Sequence, residues 1–313
     1  MADPDEAGPE KLAAPSTRCG FVAIIGTPNA GKSTLVNALV GAKVTIVSHK
    51  VQTTRTPIRG IAIEGQSQLV LIDTPGIFRP KRRLDRAMVD AAWGHAGEGD
   101  AIVLLVDASR GLEEDLERIL DKLAGAHSPC LLVLNKVDRV PGKDKLLEFT
   151  LALTARMTFA QVFMISALNG SGVGDLKAYL ARSVPEGPWH YPEDEISDAP
   201  MRLLASEITR EKIYQWLHEE LPYSTTVETT SWQDFKNGSV RIEQTIYVER
   251  DSQRSIVLGK GGQTIKKISS QSRAELTEIM GRPVHLFLFV KVREGWEGDP
   301  ERYREMGLEF PKD

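Results

Sequence analysis

The sequence predicts a doubly wound α/β domain followed by a smaller α+β domain. The first observation is an apolar run at residues 21–25, which leads into a glycine-rich octet and then into a segment with helical apolar spacing. The second is a series of further apolar runs that alternate with helical segments, a pattern typical of a parallel sheet wound by helices. The third is an α-β-β-α-α-β pattern that starts at residue 201, after a proline-rich break.

Length and composition are those of an ordinary globular protein. The chain has 313 residues, 41% of them hydrophobic, and a formal net charge of −4. This charge argues against a wholly basic nucleic-acid binder but allows a basic patch on one domain. Cys19 and Cys130 stand far apart, without the spacing of a disulfide framework or a zinc site. No apolar run approaches the roughly 18 residues of a membrane span, so we expect a cytoplasmic protein.

Composition divides the chain into five segments. Residues 1–17 lack the features of a targeting signal and are expected to be a disordered tail. Residues 18–182 form the first domain, 183–200 a proline-rich acidic linker, and 201–297 the second domain. We expect the rings of Trp189 and Tyr191 to pack against a domain face and restrict the linker. Residues 298–313 form a charged tail, for which the sequence suggests no role.

The glycine-rich octet fits the phosphate-binding pattern G-x-x-x-x-G-K-[ST] in the strand–loop–helix context that it needs. Its glycines let backbone N–H groups curl around a phosphate, and the next helix presents its positive end to that phosphate. Lys32 would neutralise the β- and γ-phosphates, and the Ser33 hydroxyl would ligate Mg²⁺. The candidate residues are Gly26, Thr27, Pro28, Asn29, Ala30, Gly31, Lys32, Ser33 and Thr34.

A second polar loop follows two strand-like runs, 58–64 and 68–72, that are joined by a short turn. A carboxylate at the end of a buried strand suits a Mg²⁺ site, and the missing side chain of the loop's glycine lets its N–H approach a γ-phosphate. The same tetrapeptide is also a good turn sequence, so alone it does not distinguish a site from a turn. Its residues are Asp73, Thr74, Pro75 and Gly76.

Two further loops indicate recognition of guanine. Asp138 can accept hydrogen bonds from N1–H and the 2-amino group of guanine, a pair of donors that adenine lacks. The Lys136 stem can cover the base, and Asn135 can tie this loop to the phosphate loop. Ser166 and Ala167 follow the last apolar run, where the Ala167 N–H could bind guanine O6. Ligands of doubly wound sheets bind at the carboxyl ends of strands, so the sequence predicts a site for GTP or GDP.

The second domain contains a G-x-x-G loop between helical segments, in the element order of a type II KH domain. No acidic residue occurs between residues 252 and 274, so this region is locally basic. Apolar residues 256–258 would line a groove for splayed bases, whereas Ile265 and Ile268 are expected in the core. The candidate RNA-binding residues are Ile256, Gly259, Lys260, Gly261, Gly262, Lys266 and Lys267.

Together these motifs resemble the TrmE-Era branch of translation-factor-type small GTPases. A P-loop GTPase domain followed by a type II KH domain is similar to the Era family, from about residue 18 to residue 297. The resemblance implies that Thr53 or Thr54 ligates Mg²⁺ when GTP is bound, and we favour Thr54. Ile77 replaces the water-orienting glutamine of Ras-like enzymes. Asn29 stands where related enzymes hold a K⁺ ion, which would supply the charge of an arginine finger.

The resemblance further implies a GTP-hydrolysing ribosome-assembly factor, with Lys32, Thr54 and Gly76 as its catalytic residues. It would bind the 3′ end of small-subunit ribosomal RNA on the small ribosomal subunit, as a monomer loosely associated with the inner membrane. Without the resemblance, the motifs predict only that the protein binds GTP and single-stranded RNA. Two alternatives stay open: an RNA chaperone with a structural nucleotide site, and a GTPase that acts on transfer RNA or at the membrane.

The basic stretch at residues 79–83 is expected to be solvated.

Overall fold

The computed structural model describes residues 16–50, 53–217, 221–295 and 299–311. This part of the chain forms a six-stranded sheet, followed by a three-stranded sheet. The predicted tail at residues 1–17 lies almost wholly outside the described residues. Among those described, no helix combines the length and the apolar character needed to cross a membrane.

The first domain is a mixed sheet in the order β2-β3-β1-β4-β5-β6. Only the β2–β3 pair is antiparallel among these pairings. Parallel strands covered on both faces are apolar along their whole length, and every residue of β4 is accordingly buried. The elements are β1 (Arg18–Ile25), α1 (Lys32–Val40), β2 (Ile58–Glu64), β3 (Ser67–Asp73), α2 (Arg83–Glu98), β4 (Ala101–Asp107), α3 (Glu114–Leu123), β5 (Cys130–Asn135), α4 (Lys143–Thr154), β6 (Gln161–Met164) and α5 (Val173–Ser183).

This topology confirms the predicted doubly wound sheet. The carboxyl ends of β1, β3, β4 and β5 lie at one edge, because these strands run parallel. The predicted strand boundaries agree with the structure within a few residues. Helix α4 was not predicted, and it leaves Leu147 and Leu151 exposed.

The second domain confirms the predicted order of a type II KH domain. Its sheet has the order β7-β8-β9, and β8 and β9 run parallel. The helix after the G-x-x-G loop begins at Gln263, well before the predicted start at residue 273. The predicted helix to residue 221 ends at Trp216, and residues 218–220 lie outside the described residues. The elements are α6 (Met201–Trp216), β7 (Thr225–Asp234), β8 (Val240–Val248), α7 (Asp251–Leu258), α8 (Gln263–Met280) and β9 (Val284–Val292).

The linker is attached to the first domain along β3. The indole N–H of Trp189 donates to the carbonyl of Gln66 at 3.1 Å, and the Gln68 amide donates to the carbonyl of Tyr191 at 2.8 Å. His190, between them, stacks on Phe21 with ring centroids 5.4 Å apart. These contacts fix the linker against the rim of the first sheet. The Trp189 ring makes its contact itself, as expected, whereas Tyr191 is held through its main chain, so packing of its ring stays a prediction.

The described part of the C-terminal segment folds back onto the first domain. Its short helix α9 (Pro300–Glu305) presents Tyr303, which is fully buried against Leu84 and Met88 of α2. Leu308 is 3% exposed in the same cluster. The segment therefore connects the end of β9 to helix α2, which starts a few residues after Gly76.

Candidate nucleotide site and candidate RNA surface

All four predicted loops line one cavity at the carboxyl edge of the large sheet. The predicted residues that line it are Pro28, Asn29, Gly31, Lys32, Ser33, Thr34, Thr54, Gly76, Asn135, Lys136, Asp138, Ser166 and Ala167. The loop after α1 also contributes lining residues that were not predicted, namely Val47, Ser48, His49 and Lys50. One cavity thus collects residues that lie up to 140 positions apart, from Pro28 to Leu168.

Lys32 is the charged centre of the phosphate loop. The residue is 6% exposed, and its ammonium donates to the carbonyls of Gly26 and Thr27 at 3.2 and 3.1 Å. Burial lowers the pKa of Lys32 to about 8, although the nearby Asp73 carboxylate opposes that shift. Within the described residues, the hydrogen bonds of this buried ammonium go to carbonyls. A phosphate would offer it a stronger partner, because a charged acceptor binds a cation more tightly than a neutral one.

The predicted Mg²⁺ ligands converge on one point. The Ser33 hydroxyl donates to Asp73 Oδ2 at 2.7 Å and lies 3.0 Å from Thr54 Oγ1. Thr45, which was not predicted, also donates to Asp73 Oδ2, at 2.8 Å. Thr53 instead donates to the carbonyl of Lys50 at 2.7 Å, so the geometry favours Thr54 over Thr53.

The donor set fits a Mg²⁺ ion. Burial raises the pKa of Asp73, while hydrogen bonds from Ser33, Thr45 and Thr54 and the charge of Lys32 act in the opposite direction. Asp73 Oδ1 is buried and has no hydrogen-bond partner in the part of the chain that the structure describes. A desolvated carboxylate with two hydroxyls beside it is the oxygen environment that Mg²⁺ takes in phosphate-binding sites.

Gly76 is in close contact with the phosphate loop. A Cβ built at this position would lie 2.9 Å from Pro28 Cγ and 3.0 Å from the Pro28 backbone nitrogen, so no side chain fits there. The next N–H, that of Ile77, donates to the carbonyl of Gly26 at 3.0 Å. The Thr74 hydroxyl donates to the carbonyl of Ile24 at 2.7 Å and anchors the loop to β1. The loop from Asp73 to Gly76 is therefore seated against the phosphate loop.

The base-binding loops are held together by Asn135. Its amide donates to the carbonyl of Ala30 at 2.8 Å, and its carbonyl accepts the Ala167 N–H at 2.9 Å. The first contact is the predicted tie to the phosphate loop. The second occupies the N–H that was predicted to bind guanine O6, so that contact with O6 stays a prediction and would require the N–H to be shared. Asp138 is exposed and lines the cavity.

Lys136 has a partner that the sequence did not suggest. Its ammonium donates to the carbonyl of Asn29 at 2.5 Å and to Asp107 Oδ2 at 2.6 Å. Burial tends to raise the pKa of Asp107, but hydrogen bonds from Lys136 and Ser109 outweigh it and hold this pKa below its ordinary value. Asp107 was recognised only as the end of a strand. Its position at the carboxyl end of β4 could have identified it as a site residue, because the loops at the carboxyl ends of the neighbouring strands form the nucleotide site.

Asn29 adopts a left-handed backbone conformation, with φ of 63°. Asparagine tolerates this region better than most residues. The conformation lies within the phosphate loop, beside residues that line the cavity. Asn29 itself lines the cavity; a role in holding K⁺ stays a prediction.

The G-x-x-G loop presents open backbone. Gly259, Gly261 and Gly262 have φ values of 73°, 59° and 77°, which L side chains rarely adopt. Nothing lies within 4 Å of a Cβ built at Gly261 or Gly262, so a phosphate can approach the backbone there. The loop lies at the N-terminus of α8, whose positive end favours an anion.

The predicted RNA residues are mostly exposed, with one correction. Ile256 is 56% exposed, and Lys260 and Lys266 are exposed beside the loop. Val257, which was expected to line the groove, is wholly buried in the core. Successive residues of a helix point about 100° apart, and Val257 is the one that faces the sheet. Ile268 is buried as predicted.

Lys267 is placed differently from Lys260 and Lys266. Its ammonium lies 4.7 Å from the ring centroid of Trp216, which is at the end of α6. The Trp216 indole N–H donates to Gln271 Oε1 at 2.5 Å. The cation–π contact holds the charge of Lys267 on the α6 side of α8.

The segment after α1 contacts both the nucleotide cavity and the second domain. The Arg55 guanidinium, 3% exposed, donates to the carbonyls of Thr225 and Tyr223, each at 2.8 Å. Arg210 of α6 donates to the carbonyl of Thr53. Glu211 accepts the Val47 N–H at 2.8 Å. Thr54, beside Asp73, is therefore flanked by residues that are fixed to the second domain.

Comparison with known proteins decides the family. Residues 21–136 match the family described as 50S ribosome-binding GTPase, and residues 220–297 match the KH domain family. The chain is 66% identical over 298 residues to GTPase Era of Bradyrhizobium sp. (strain ORS 278), which spans 95% of this chain and 97% of that protein. The chain belongs to the Era family of GTPases. As a member of this family it binds guanine nucleotides and hydrolyses GTP, which confirms the activity that the motifs predicted.

Other members of the Era family extend the comparison. GTPase Era of Afipia carboxidovorans is 64% identical over 305 residues and covers 97% of this chain. The similarity to Era therefore extends into the terminal segments, beyond the range from about residue 18 to residue 297 that the motifs covered. Two solved Era structures each match with a TM-score of 0.88 at 36% identity, over 93% of this chain and 99% of theirs. One is an Aquifex aeolicus variant bound to GDP and aluminium fluoride; the other holds MgGDPNP and nucleotides 1506–1542 of 16S ribosomal RNA.

Proposed function

We propose that this Era-family protein binds the 3′ end of small-subunit ribosomal RNA and that its nucleotide state controls this binding during assembly of the small subunit. The observation that carries this proposal is a set of contacts made by residues 43–50 and 53–55, called the switch segment below. One part of it brings Thr54 to Asp73, and other parts are fixed to α6 and β7 of the KH domain. Loss of the γ-phosphate on hydrolysis would therefore move a segment that is hydrogen-bonded directly to the RNA-binding domain.

The choice of RNA is supported by the solved Era complex with 16S ribosomal RNA, which shares the architecture of this chain over 93% of its length. The open backbone at Gly261 and Gly262 and the exposed Lys260 suit the phosphates of a single strand. RNA with splayed bases fits this surface better than a duplex, because Ile256 offers an apolar contact to unpaired bases.

We assign the following roles in hydrolysis to residues of this chain. Lys32 binds the phosphates, and Ser33, Thr54 and Asp73 would hold Mg²⁺, which neutralises charge on the transferred phosphoryl group. The Gly76 N–H would donate a hydrogen bond to the γ-phosphate. Ile77 is 5% exposed and carries no group that can orient water. Catalysis in this site therefore rests on positioning and charge.

We further propose that K⁺ stimulates turnover through Asn29. Support for this role is that Asn29 lines the nucleotide cavity within the phosphate loop, where its amide oxygen would be able to ligate a monovalent cation. Hydrolysis in potassium buffer should exceed that in sodium buffer by about tenfold or more, and Asn29→Ala should remove the difference. Equal turnover of the unaltered protein in the two buffers would refute this role.

The RNA proposal is tested by measuring affinity for a fragment equivalent to 16S nucleotides 1506–1542, with GDP and with GDPNP bound. We expect the two affinities to differ, and Gly261→Asp to weaken both because a carboxylate would repel phosphate. Identical affinities in the two states would reject the coupling. Crosslinking in cells should recover small-subunit ribosomal RNA; recovery of transfer RNA or lipid alone would favour the other candidate activities.

We also propose a cytoplasmic location with peripheral contact to the inner membrane, since assembling small subunits are in the cytoplasm. Cell fractionation in low and high salt checks this location. The protein should be found mainly with soluble ribosomal particles, and any membrane fraction should be released by salt. Retention on membranes after a high-salt wash would contradict it.

A further inference from the structure

The backbone of Asp73 is fixed, but this alone does not orient its carboxylate. Asp73 is the last residue of β3, where it pairs with Ile24 of β1 on one side and with Ile58 of β2 on the other. A backbone held between two strands leaves rotation of the side chain as the remaining freedom. A carboxylate that serves a metal ion must point in one direction, so the groups that orient it matter for the site.

Three hydroxyl groups hold the Asp73 carboxylate, and all three bind the same oxygen. Ser33 donates to Oδ2 at 2.7 Å, Thr45 at 2.8 Å and Thr54 at 3.2 Å. The other oxygen, Oδ1, is buried and has no hydrogen-bond partner among the described residues. Oδ2 is therefore the oxygen by which the described part of the protein holds this carboxylate.

Thr45 differs from the other two donors in its surroundings. Ser33 and Thr54 line the nucleotide cavity, where both are expected to ligate Mg²⁺. Thr45 is wholly buried and does not belong to the described lining of the cavity. Its hydroxyl can therefore act on the site only through Asp73.

Helix α1 fixes the position of Thr45. The side-chain carbonyl of Asn37 accepts the N–H groups of Val44 and Thr45 at 2.9 and 3.1 Å, and its amide donates to the carbonyl of Thr45 at 2.8 Å. Asn37 lies four residues after Ser33 on α1, so the two side chains share one face of that helix. One helix thus carries one donor to Asp73 directly and holds a second donor through Asn37.

The chain neighbours of Thr45 are anchored on both sides. Val44 is buried in the core of the first domain, and Ile46 is buried in the core of the second domain. Thr45 lies between them on the chain, so these two apolar contacts restrict its backbone in addition to the hydrogen bonds from Asn37. Its hydroxyl is therefore held against Asp73 by contacts that involve neither nucleotide nor metal.

We propose that Thr45 is a positioning residue of the Mg²⁺ site and that Asn37 holds it in place. The Thr45 hydroxyl keeps the Asp73 carboxylate in one orientation, so that the carboxylate does not turn when Ser33 and Thr54 ligate the ion. Groups that orient a metal ligand typically contribute about tenfold to a hundredfold to metal affinity. This inference rests on the proposed Mg²⁺ site. Its own content is a residue that touches neither the ion nor the nucleotide.

The test measures the Mg²⁺ concentration that gives half-maximal binding of a fluorescent GDPNP derivative to the full-length protein. Thr45→Val keeps nearly the same shape but lacks the hydroxyl, so this concentration should rise about tenfold or more. Affinity for GDP in the presence of EDTA should stay the same, which also shows that the variant is folded. Thr45→Ser restores the hydroxyl and should restore the Mg²⁺ dependence of the unaltered protein.

Thr209→Val supplies the matched control. Thr209 is also a wholly buried threonine, and its hydroxyl donates to Gln244 Oε1 at 2.6 Å inside the second domain. This variant loses a hydroxyl of the same kind without touching Asp73, so its Mg²⁺ dependence should equal that of the unaltered protein. An equal shift in Thr209→Val and Thr45→Val would overturn the inference, because loss of any buried hydroxyl would then account for it.

Asn37→Ala tests whether Asn37 acts through Thr45. This variant should raise the required Mg²⁺ concentration in the same direction as Thr45→Val. The double variant Asn37→Ala/Thr45→Val should be no worse than the more affected single variant, because both residues act on Asp73 through one hydroxyl. Additive shifts would overturn the assignment of Asn37.

The positioning role and the proposed Mg²⁺ site fail in different ways. If Ser33→Ala leaves the Mg²⁺ dependence unchanged, the proposed Mg²⁺ site is wrong and the inference falls with it. If Ser33→Ala shifts that dependence but Thr45→Val does not, the site stands and the positioning role is wrong. Thr45→Val that weakens GDP binding in EDTA as much as it weakens GDPNP binding with Mg²⁺ would also overturn the role, because the phosphate loop itself would then be distorted.

Discussion

Asn135 joins the two halves of the nucleotide site. Its side chain contacts both Ala30 in the phosphate loop and Ala167 in the last base-binding loop. Lys136 makes a parallel connection to Asn29 and Asp107. Neighbouring residues thus hold the loops in one arrangement before a nucleotide binds. Asp138, by contrast, is exposed at the cavity, where we expect it to select the base.

Asp138 should determine base specificity. Asp138→Asn removes a charged acceptor for two guanine donors, so GTP affinity should fall roughly 100-fold or more. Xanthine nucleotides, which carry an oxygen in place of the 2-amino group, should bind the variant better than they bind the unaltered protein. Competition binding with GTP, XTP and ATP measures this. A variant that still prefers GTP over XTP would contradict the assignment.

Lys32 should make nucleotide affinity depend on pH. The pKa of Lys32 is lowered to about 8 by burial, and a bound phosphate would raise it again. Below that pH the lysine is charged with or without nucleotide, so affinity is flat. Above it, the free protein loses the proton and binding must take it up, so affinity falls by up to about tenfold per pH unit.

Titration calorimetry at pH 9 in two buffers of different ionisation enthalpy should detect this proton uptake. The same comparison at pH 7 is the control and should show only about a tenth of this uptake, because one unit below its pKa a lysine is about nine-tenths charged already. Equal binding enthalpies in both buffers at pH 9 would contradict the lowered pKa.

Among the elements, those with local signals were predictable and those defined by distant contacts were not. The phosphate loop is recognisable because its strand, glycines and helix are contiguous in sequence. Helix α4 has no clear apolar face, since Leu147 and Leu151 are 57% and 61% exposed while Leu146 and Leu153 are buried. The docking of α9 depends on Leu84 and Met88, more than 200 residues earlier, which no local pattern reveals.

Docking of α9 should stabilise the first domain. Tyr303 is fully buried, and its ring centroid lies 4.9 Å from that of Phe310. Tyr303→Ala should lower the free energy of unfolding by about 3 kcal/mol, because it leaves a cavity against α2. Urea denaturation followed by circular dichroism measures the change. Leu151→Ala, at an exposed position on α4, is the control and should shift it by less than about 0.5 kcal/mol.

An unchanged midpoint for Tyr303→Ala would mean that α9 does not stay docked in solution. The docking of the C-terminal segment on α2 would then contribute nothing to the stability of the first domain.

At the scale of the whole molecule, the two domains meet through a buried charge cluster as well as through Arg55. Glu211 on α6 is 2% exposed and accepts from the ammonium groups of Lys43 and Lys212, each at 2.8 Å. Its other oxygen accepts the Val47 N–H. Lys43 and Val47 belong to the switch segment, which carries Thr54. The charge cluster is therefore the part of the interface most sensitive to a movement of that segment.

Breaking this cluster should uncouple RNA binding from the nucleotide. Glu211→Gln leaves the shape but removes a buried carboxylate, which weakens its pairs with both lysines. Glu275 on α8, 20% exposed, then remains as the partner of Lys43 and Lys212. A ratio of RNA affinities in the GDPNP and GDP states of about tenfold, ordinary for coupled sites, should then fall toward one while GTP affinity stays the same. Asp121→Asn is the control, because its pair with Arg156 is exposed on the first domain and 3.0 Å long. If Glu211→Gln kept the full ratio, the charge cluster would only hold the domains together, and Arg55 would have to carry the coupling.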